Sequence, residues 1–351
     1  MYRLIGNQVM ILDEKIAEDL TVLYNSGLKE LIEKFNLCKI QKAEDLSLAL
    51  FGESDKLSSH GLPGYFTGNR GARTVMVMLN PGQDVAGKDN PVTTIETLSK
   101  LGINTDSVKE FVYSYKNGNT AFGTHDKRER ENETKERTKK SKKAKKAYPD
   151  NFDLKQAAFL KEWPEDCDVV IPKSFPPKDN KLDNMDYDEA LKTAENVLTQ
   201  KLQLELVPYA SRKFDGVKND EALFPYVKTL FDEIFSESCK GKEPRYVIFC
   251  ADFFDGLFKK YNNADVDKYP GWIKYDKPFY HRESMDVFDK RKAYCTPIRI
   301  HLKGKEKSPE EGPSLKAIIA HTFPNQSLSN AYDRMAKYGN FCWDTYHKSK
   351  I

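Results

Sequence analysis

Three polar residues each stand at or near the end of an apolar run: Asn80 after Val75–Leu79, Glu205 inside Leu202–Val207, and His321 after Ala317–Ala320. An amide, a carboxyl and an imidazole all make hydrogen bonds, and the last two also take up and release protons. They are far apart in the chain, so only the fold can bring them together. Each run is continuous enough to be a strand buried on both faces. The first stops at Asn80-Pro81-Gly82. Pro81 cannot donate to a ladder and pushes Asn80 into an extended or turn conformation, while Gly82 allows a close approach of backbone to ligand. Parallel strands deliver their carboxyl ends to one edge of a sheet, and open α/β sheets bind ligands there.

The elements that must position these residues alternate. Apolar runs at 75–79, 202–207, 245–250 and 316–321 are separated by stretches of helical period. One helix is expected over 188–200, with Leu191, Ala194 and Leu198 on a stripe. Another is expected over 221–236, with Val227, Leu230, Phe231 and Ile234 on one face. Further helices are expected at 13–35, 43–51, 92–101, 154–163, 251–260 and 328–347. Tyr294 to Leu302 reads as an extra strand, and 60–71 as a loop rich in turn formers, with Tyr65 and Phe66 in it. Strands joined by helical crossovers mean a parallel sheet covered on both faces. The expectation is one α/β domain over 1–351, with insertions at 105–150 and 264–312.

No apolar run is long enough to span a membrane, and the N-terminus lacks a signal-peptide pattern. Six scattered cysteines form no C-x-x-C, which argues against a zinc or iron–sulfur site. A reduced, cytoplasmic protein with no metal and no cofactor is expected. Between Lys127 and Lys146 there are eleven Lys or Arg against four Glu, with almost nothing apolar. Such a segment cannot bury a core. It is a solvated arm, or it meets phosphates through Lys139, Lys140, Lys142 and Lys143.

The order strand-Asn-Pro-Gly, strand-x-x-Pro-Tyr, strand-helix, strand-His-loop-Ser-helix resembles the uracil-DNA glycosylase superfamily. Its first motif appears as Met78-Leu-Asn-Pro-Gly82 and its last as His321-Thr-Phe-Pro-Asn-Gln-Ser-Leu-Ser329. The resemblance covers about 60–100 and 188–345. It implies a three-layer α/β/α sandwich around a central four-stranded parallel sheet, and DNA as the partner. It implies that Asn80 positions the attacking water and that His321 bonds the base and stabilises its leaving anion. Gly82 would let DNA approach, and Ser327 and Ser329 would contact phosphate. If Pro324 is matched to the motif proline, Phe323 takes the histidine's place. Glu205 stands where the family has a base-reading Asn. Tyr209 and Phe122 are the candidates for the aromatic under the base. Asp84 either assists or serves as a loop acid.

The chemistry implied is base excision. The base leaves the stack, and the glycosidic bond breaks through a cation-like sugar with the base leaving as an anion. That step needs a placed water and a donor at the developing charge, and no strong base. An amide matches the uracil edge, whereas a carboxylate accepts from the amino group of cytosine, and a carboxyl kept protonated by burial also donates to cytosine N3. The expected activity is therefore a monofunctional DNA glycosylase, acting on a modified cytosine of foreign DNA in a defence role. The alternatives are a catalytically inactive nucleic-acid-binding protein on the same fold and an ordinary uracil-DNA glycosylase of base excision repair. The absence of G-x-S-x-G lowers an α/β-hydrolase reading.

Overall fold

A computed structural model describes residues 43–57, 66–68, 72–80, 151–163, 169–176, 186–207, 209, 211, 213–235, 245–264, 271–275, 283–288, 291–302, 313–323 and 332–350. The helices expected at 13–35 and 92–101 and the insertion expected at 105–150 lie outside the described residues.

Among the described residues, eight strands form one mixed sheet. The four parallel strands are β2 (Thr74–Met78), β3 (Leu202–Glu205), β4 (Tyr246–Phe249) and β8 (Ser314–Ala320). These are the four apolar runs of the sequence. β1 (Phe66–Gly68) adds an antiparallel strand outside β3. Beyond β8 the sheet continues antiparallel through β7 (Arg291–Leu302). That strand pairs with both β5 (Gly271–Tyr275) and β6 (Glu283–Phe288). The range expected as a second insertion thus contributes three strands to the same sheet.

The helices are α1 (Ala43–Phe51), α2 (Asn151–Leu160), α3 (Tyr187–Gln200), α4 (Phe224–Ile234), α5 (Phe253–Asn263) and α6 (Tyr332–Lys348). Local chemistry sets several of their ends. The side chain of Asp186 accepts from the amides of Asp188 and Glu189 and starts α3. A 3₁₀ turn, Asp220–Leu223, leads into α4, which has a proline in its first turn. Val227, Leu230, Phe231 and Ile234 are all buried, as the 3.6 period requires.

Side chains alternate across a strand, and the core divides accordingly. Val75, Val77, Leu202, Leu204, Val247 and Phe249 pack with residues of α1, α4 and α5. Met76, Met78, Ile248 and Cys250 pack with residues of α2, α3 and α6. On that second side α2 and α6 meet at Gly339. A Cβ there would lie 1.7 Å from the Phe159 carbonyl oxygen, so only glycine permits the approach.

The strand order β3-β2-β4-β8 positions the site. From β2 the chain passes through α2 and α3 to β3 on one side. From β4 it passes through α5 towards β8 on the other. Connections that leave neighbouring strands in opposite directions open a crevice outside their carboxyl ends. Here the two neighbouring strands with diverging connections are β2 and β4, and Asn80 and Asp252 stand just past their carboxyl ends.

Candidate functional site

Asn80 follows β2 by two residues and is half-buried. Its Nδ2 donates to the Tyr209 carbonyl at 3.0 Å and to Ser211 Oγ at 2.7 Å. A carbonyl only accepts, so the atom facing Tyr209 is the amide nitrogen. Both amide hydrogens are used and Oδ1 is left as an acceptor. The chain after β3 is held in place for this. The Leu206 amide bonds the Met78 carbonyl and the Val207 amide bonds the Leu79 carbonyl, each at 2.9 Å. Backbone bonding between the two segments thus continues past Glu205, and Tyr209 and Ser211 arrive beside Asn80. Tyr209 was expected among base-reading or stacking residues; its side chain is buried in the apolar core, and its backbone holds Asn80.

Glu205 ends β3 opposite Met78 of β2. It is the last of three polar residues at alternate positions, Lys201, Gln203 and Glu205, which therefore share a face. Lys201 Nζ donates to Gln203 Oε1 at 2.9 Å. Gln203 Nε2 donates to Glu205 Oε1 at 2.6 Å. Glu205 Oε2 is buried and bonds no described residue. Burial pushes the Glu205 carboxyl up to about 8, against the opposing effects of the Gln203 bond and the Lys201 charge. Burial also lowers the Lys201 ammonium to about 8, with Asp153 and Glu205 acting the other way. The Cys250 thiol, at the end of β4, is pushed up by its own burial.

His321 follows β8 directly and is buried. Its Nδ1 is 2.7 Å from Asp252 Oδ1, and its Nε2 is 2.7 Å from Thr296 Oγ1 on β7. A carboxylate only accepts, so Nδ1 carries a proton; the Thr296 hydroxyl can donate to Nε2 or accept from it, according to whether the ring holds one proton or two. Both ring nitrogens are thus engaged within the protein. Phe323, the other residue matched to the motif histidine, packs edge-on against Phe159 in the core.

Asp252, Asp255 and His321 bring one ligand atom each within 4.8 Å of one another, an arrangement that could hold a cation. Lys259 Nζ lies 2.8 Å from Asp255 Oδ2 and already offsets its charge.

Along the carboxyl edge the order is Glu205 with Tyr209 and Ser211, then Asn80, then Asp252, then His321. The three residues expected to act together share this edge, and each has its own hydrogen-bond partners. Gly82, Asp84, Phe122, Lys139, Lys140, Lys142, Lys143, Ser327 and Ser329 lie outside the described residues. Sequence reasoning missed Lys201 and Gln203, although their spacing to Glu205 was a signal. It missed Asp252, Ser211 and Thr296, whose roles depend on tertiary placement. It also missed Gln156 of α2, which is fully buried with neither amide atom bonded to a described residue.

No described helix is long and apolar enough to cross a membrane. No family model, curated protein or solved structure matches the chain.

Proposed function

We propose that the protein is a monofunctional DNA glycosylase acting in the cytoplasm, with the helices arranged as the outer layers of a three-layer α/β/α sandwich. The observation that carries this reading is Asn80: an amide at the switch point of the sheet, with both hydrogens committed and Oδ1 left to accept. Such an oxygen orders a water without acting as a base. Hydrolysis through a cation-like sugar asks for that placement and little more. On the neighbouring strand, Glu205 is the group that meets the flipped base. Its carboxyl favours the amino-bearing edge of cytosine over the uracil edge. Plain cytosine is present in every genome, so a modified cytosine of foreign DNA is the substrate this reading favours, with defence as the role. For His321 to meet the leaving base, Nε2 must leave Thr296 and donate to a base oxygen, which requires a proton on both ring nitrogens while Nδ1 stays bonded to Asp252. Lys139, Lys140, Lys142 and Lys143 supply phosphate contacts that do not depend on sequence.

The test is incubation with oligonucleotides carrying uracil, cytosine or 5-substituted cytosines, followed by alkaline cleavage at abasic sites. Strand breaks with a 5-substituted cytosine alone are the expected result. Breaks with uracil alone would assign the protein to ordinary base excision repair.

A second reading has its own support. Both ring nitrogens of His321 are taken up inside the protein, which suits a catalytically inactive nucleic-acid-binding protein on the same fold. DNA binding without breaks on any substrate would establish it.

A further inference from the structure

The chain Lys201–Gln203–Glu205 leaves no freedom in how its groups point. As an ammonium Lys201 only donates, so the Gln203 atom that faces it at 2.9 Å is the oxygen. The Gln203 nitrogen then faces Glu205 and donates to Oε1 at 2.6 Å. Oε1 is thereby fixed as an acceptor. Any proton on this carboxyl sits on Oε2, which is buried and bonds no described residue. Glu205 is only 9% exposed, and a buried group of this kind is costly unless something meets it. The residue also ends β3 at the edge where Asn80 stands.

We propose that Gln203, aimed by Lys201, is a positioning residue that holds Glu205 with Oε2 as a hydrogen-bond donor, so that the site takes a ring presenting a lone pair, the unprotonated N3 of a cytosine-type base. This rests on the glycosylase reading and chooses between two forms of Glu205 that the sequence left open. One is a carboxylate that accepts from the amino group, and the other is an acid that also donates to N3. Here it donates to the ring nitrogen as an acid, and Oε1 keeps a lone pair for the amino group. The acid form persists at neutral pH because burial holds the carboxyl up to about 8. The titratable groups around Glu205 are Lys201, just before β3, and Cys250 at the end of β4. Asp153 of α2 acts on Lys201. None of them supplies an acceptor to Oε2 among the described residues.

The two roles predict opposite pH behaviour. A donor role loses affinity as pH rises through the Glu205 titration, and an acceptor role gains it. Binding is measured by fluorescence anisotropy between pH 5.5 and 9.5. The oligonucleotides carry 2′-fluoro-arabino nucleotides of a 5-substituted cytosine or of uracil. The fluorine disfavours a cationic sugar, so binding is read without excision. Wild type should bind the cytosine-type oligonucleotide about tenfold to a hundredfold more weakly at the alkaline end, one matched hydrogen-bond pair being lost. E205Q should show no such titration. Q203M removes the bond that favours the charged form, so its midpoint should move to higher pH and its preference over uracil should shrink. Q203N, whose amide is too short to reach Glu205, makes the same comparison if Q203M does not fold.

Affinity that rises with pH, or a midpoint unmoved in both Gln203 variants, would overturn the proposal. If wild type binds no DNA at any pH, the glycosylase reading fails. The positioning role is then decided by infrared titration of the Glu205 carboxyl, with E205Q identifying the band. A protonated band that persists to higher pH in Q203M upholds it, and an unmoved band overturns it.

Discussion

Nδ2 of Asn80 lies 2.7 Å from Oγ of Ser211, tying the end of β2 to the chain that leaves β3. The second amide hydrogen goes to the Tyr209 carbonyl. Two contacts from one nitrogen fix the plane of the amide as well as its position. Placement of a water to within a fraction of an ångström depends on such fixing.

Replacing Asn80 separates its two tasks. N80A should lower base excision by orders of magnitude with little change in DNA affinity, because the lost contact matters mainly in the transition state. N80D puts a carboxylate oxygen against the Tyr209 carbonyl, where nothing can donate. Urea denaturation should show a loss of about 1–3 kcal/mol for N80D. Excision unchanged in N80A would reduce Asn80 to a turn residue.

Much of this edge was legible in the sequence, for a physical reason. A central parallel strand must be apolar on both faces, so Val75–Leu79 and Val247–Cys250 show themselves as runs. The residue that ends such a run is placed at the sheet edge without further information. Asn80 and His321 were found in that way. Ser211 and Thr296 were not, because ordinary hydroxyl residues carry no pattern and owe their roles to neighbours distant in sequence. The strands β1, β5 and β6 were missed for a related reason. They lie outside the parallel centre, and Phe66-Thr-Gly68 stands in a stretch crowded with glycines. The second strand was read as running to Pro208, yet it ends at Glu205, and Leu206 and Val207 keep backbone bonds to Met78 and Leu79 without strand geometry.

The contact between α2 and α6 makes a strong prediction at Gly339. Alanine is the better helix former by about 1 kcal/mol. At this position its Cβ would meet the Phe159 carbonyl oxygen at 1.7 Å, and a backbone atom of a packed helix cannot turn aside. Overpacking of this kind costs about 1–3 kcal/mol, and more where backbone must move. G339A should therefore unfold at lower urea concentration than wild type. A midpoint equal to or above wild type would mean that the two helices are farther apart than described.

Thr296 offers a way to weigh structure against chemistry at His321. T296V keeps the shape of the side chain and removes the hydroxyl bonded to Nε2. A buried ring nitrogen is left without that partner, at a cost of about 1–3 kcal/mol in unfolding free energy. Under the glycosylase reading Nε2 then meets the base without first giving up Thr296. Excision per folded molecule should be retained. Loss of excision by tenfold or more in T296V would show that the hydroxyl takes part in the reaction.

Glu205 and Lys201 together predict an unusual dependence of stability on pH. The Glu205 carboxyl is held up to about 8 by burial, well above the ordinary 4.5. Between those values the native state keeps a proton that the unfolded chain has lost. The contribution is therefore fully present below pH 4.5 and is lost as pH rises to 8. Lys201 behaves in the opposite sense. Burial lowers its ammonium from 10.5 to about 8, so its contribution is present above 10.5 and is lost as pH falls to 8. Each proton is worth about 1.4 kcal/mol per pH unit, so each window spans on the order of 3–5 kcal/mol. Stability from this pair should be lowest near pH 8 and recover on both sides. Urea denaturation of wild type, E205Q and K201M at pH 5, 8 and 10 reads the two windows apart. E205Q should gain on wild type from pH 5 to 8, and wild type should gain on K201M from pH 8 to 10. Parallel curves for all three proteins would mean that neither group titrates from a buried state.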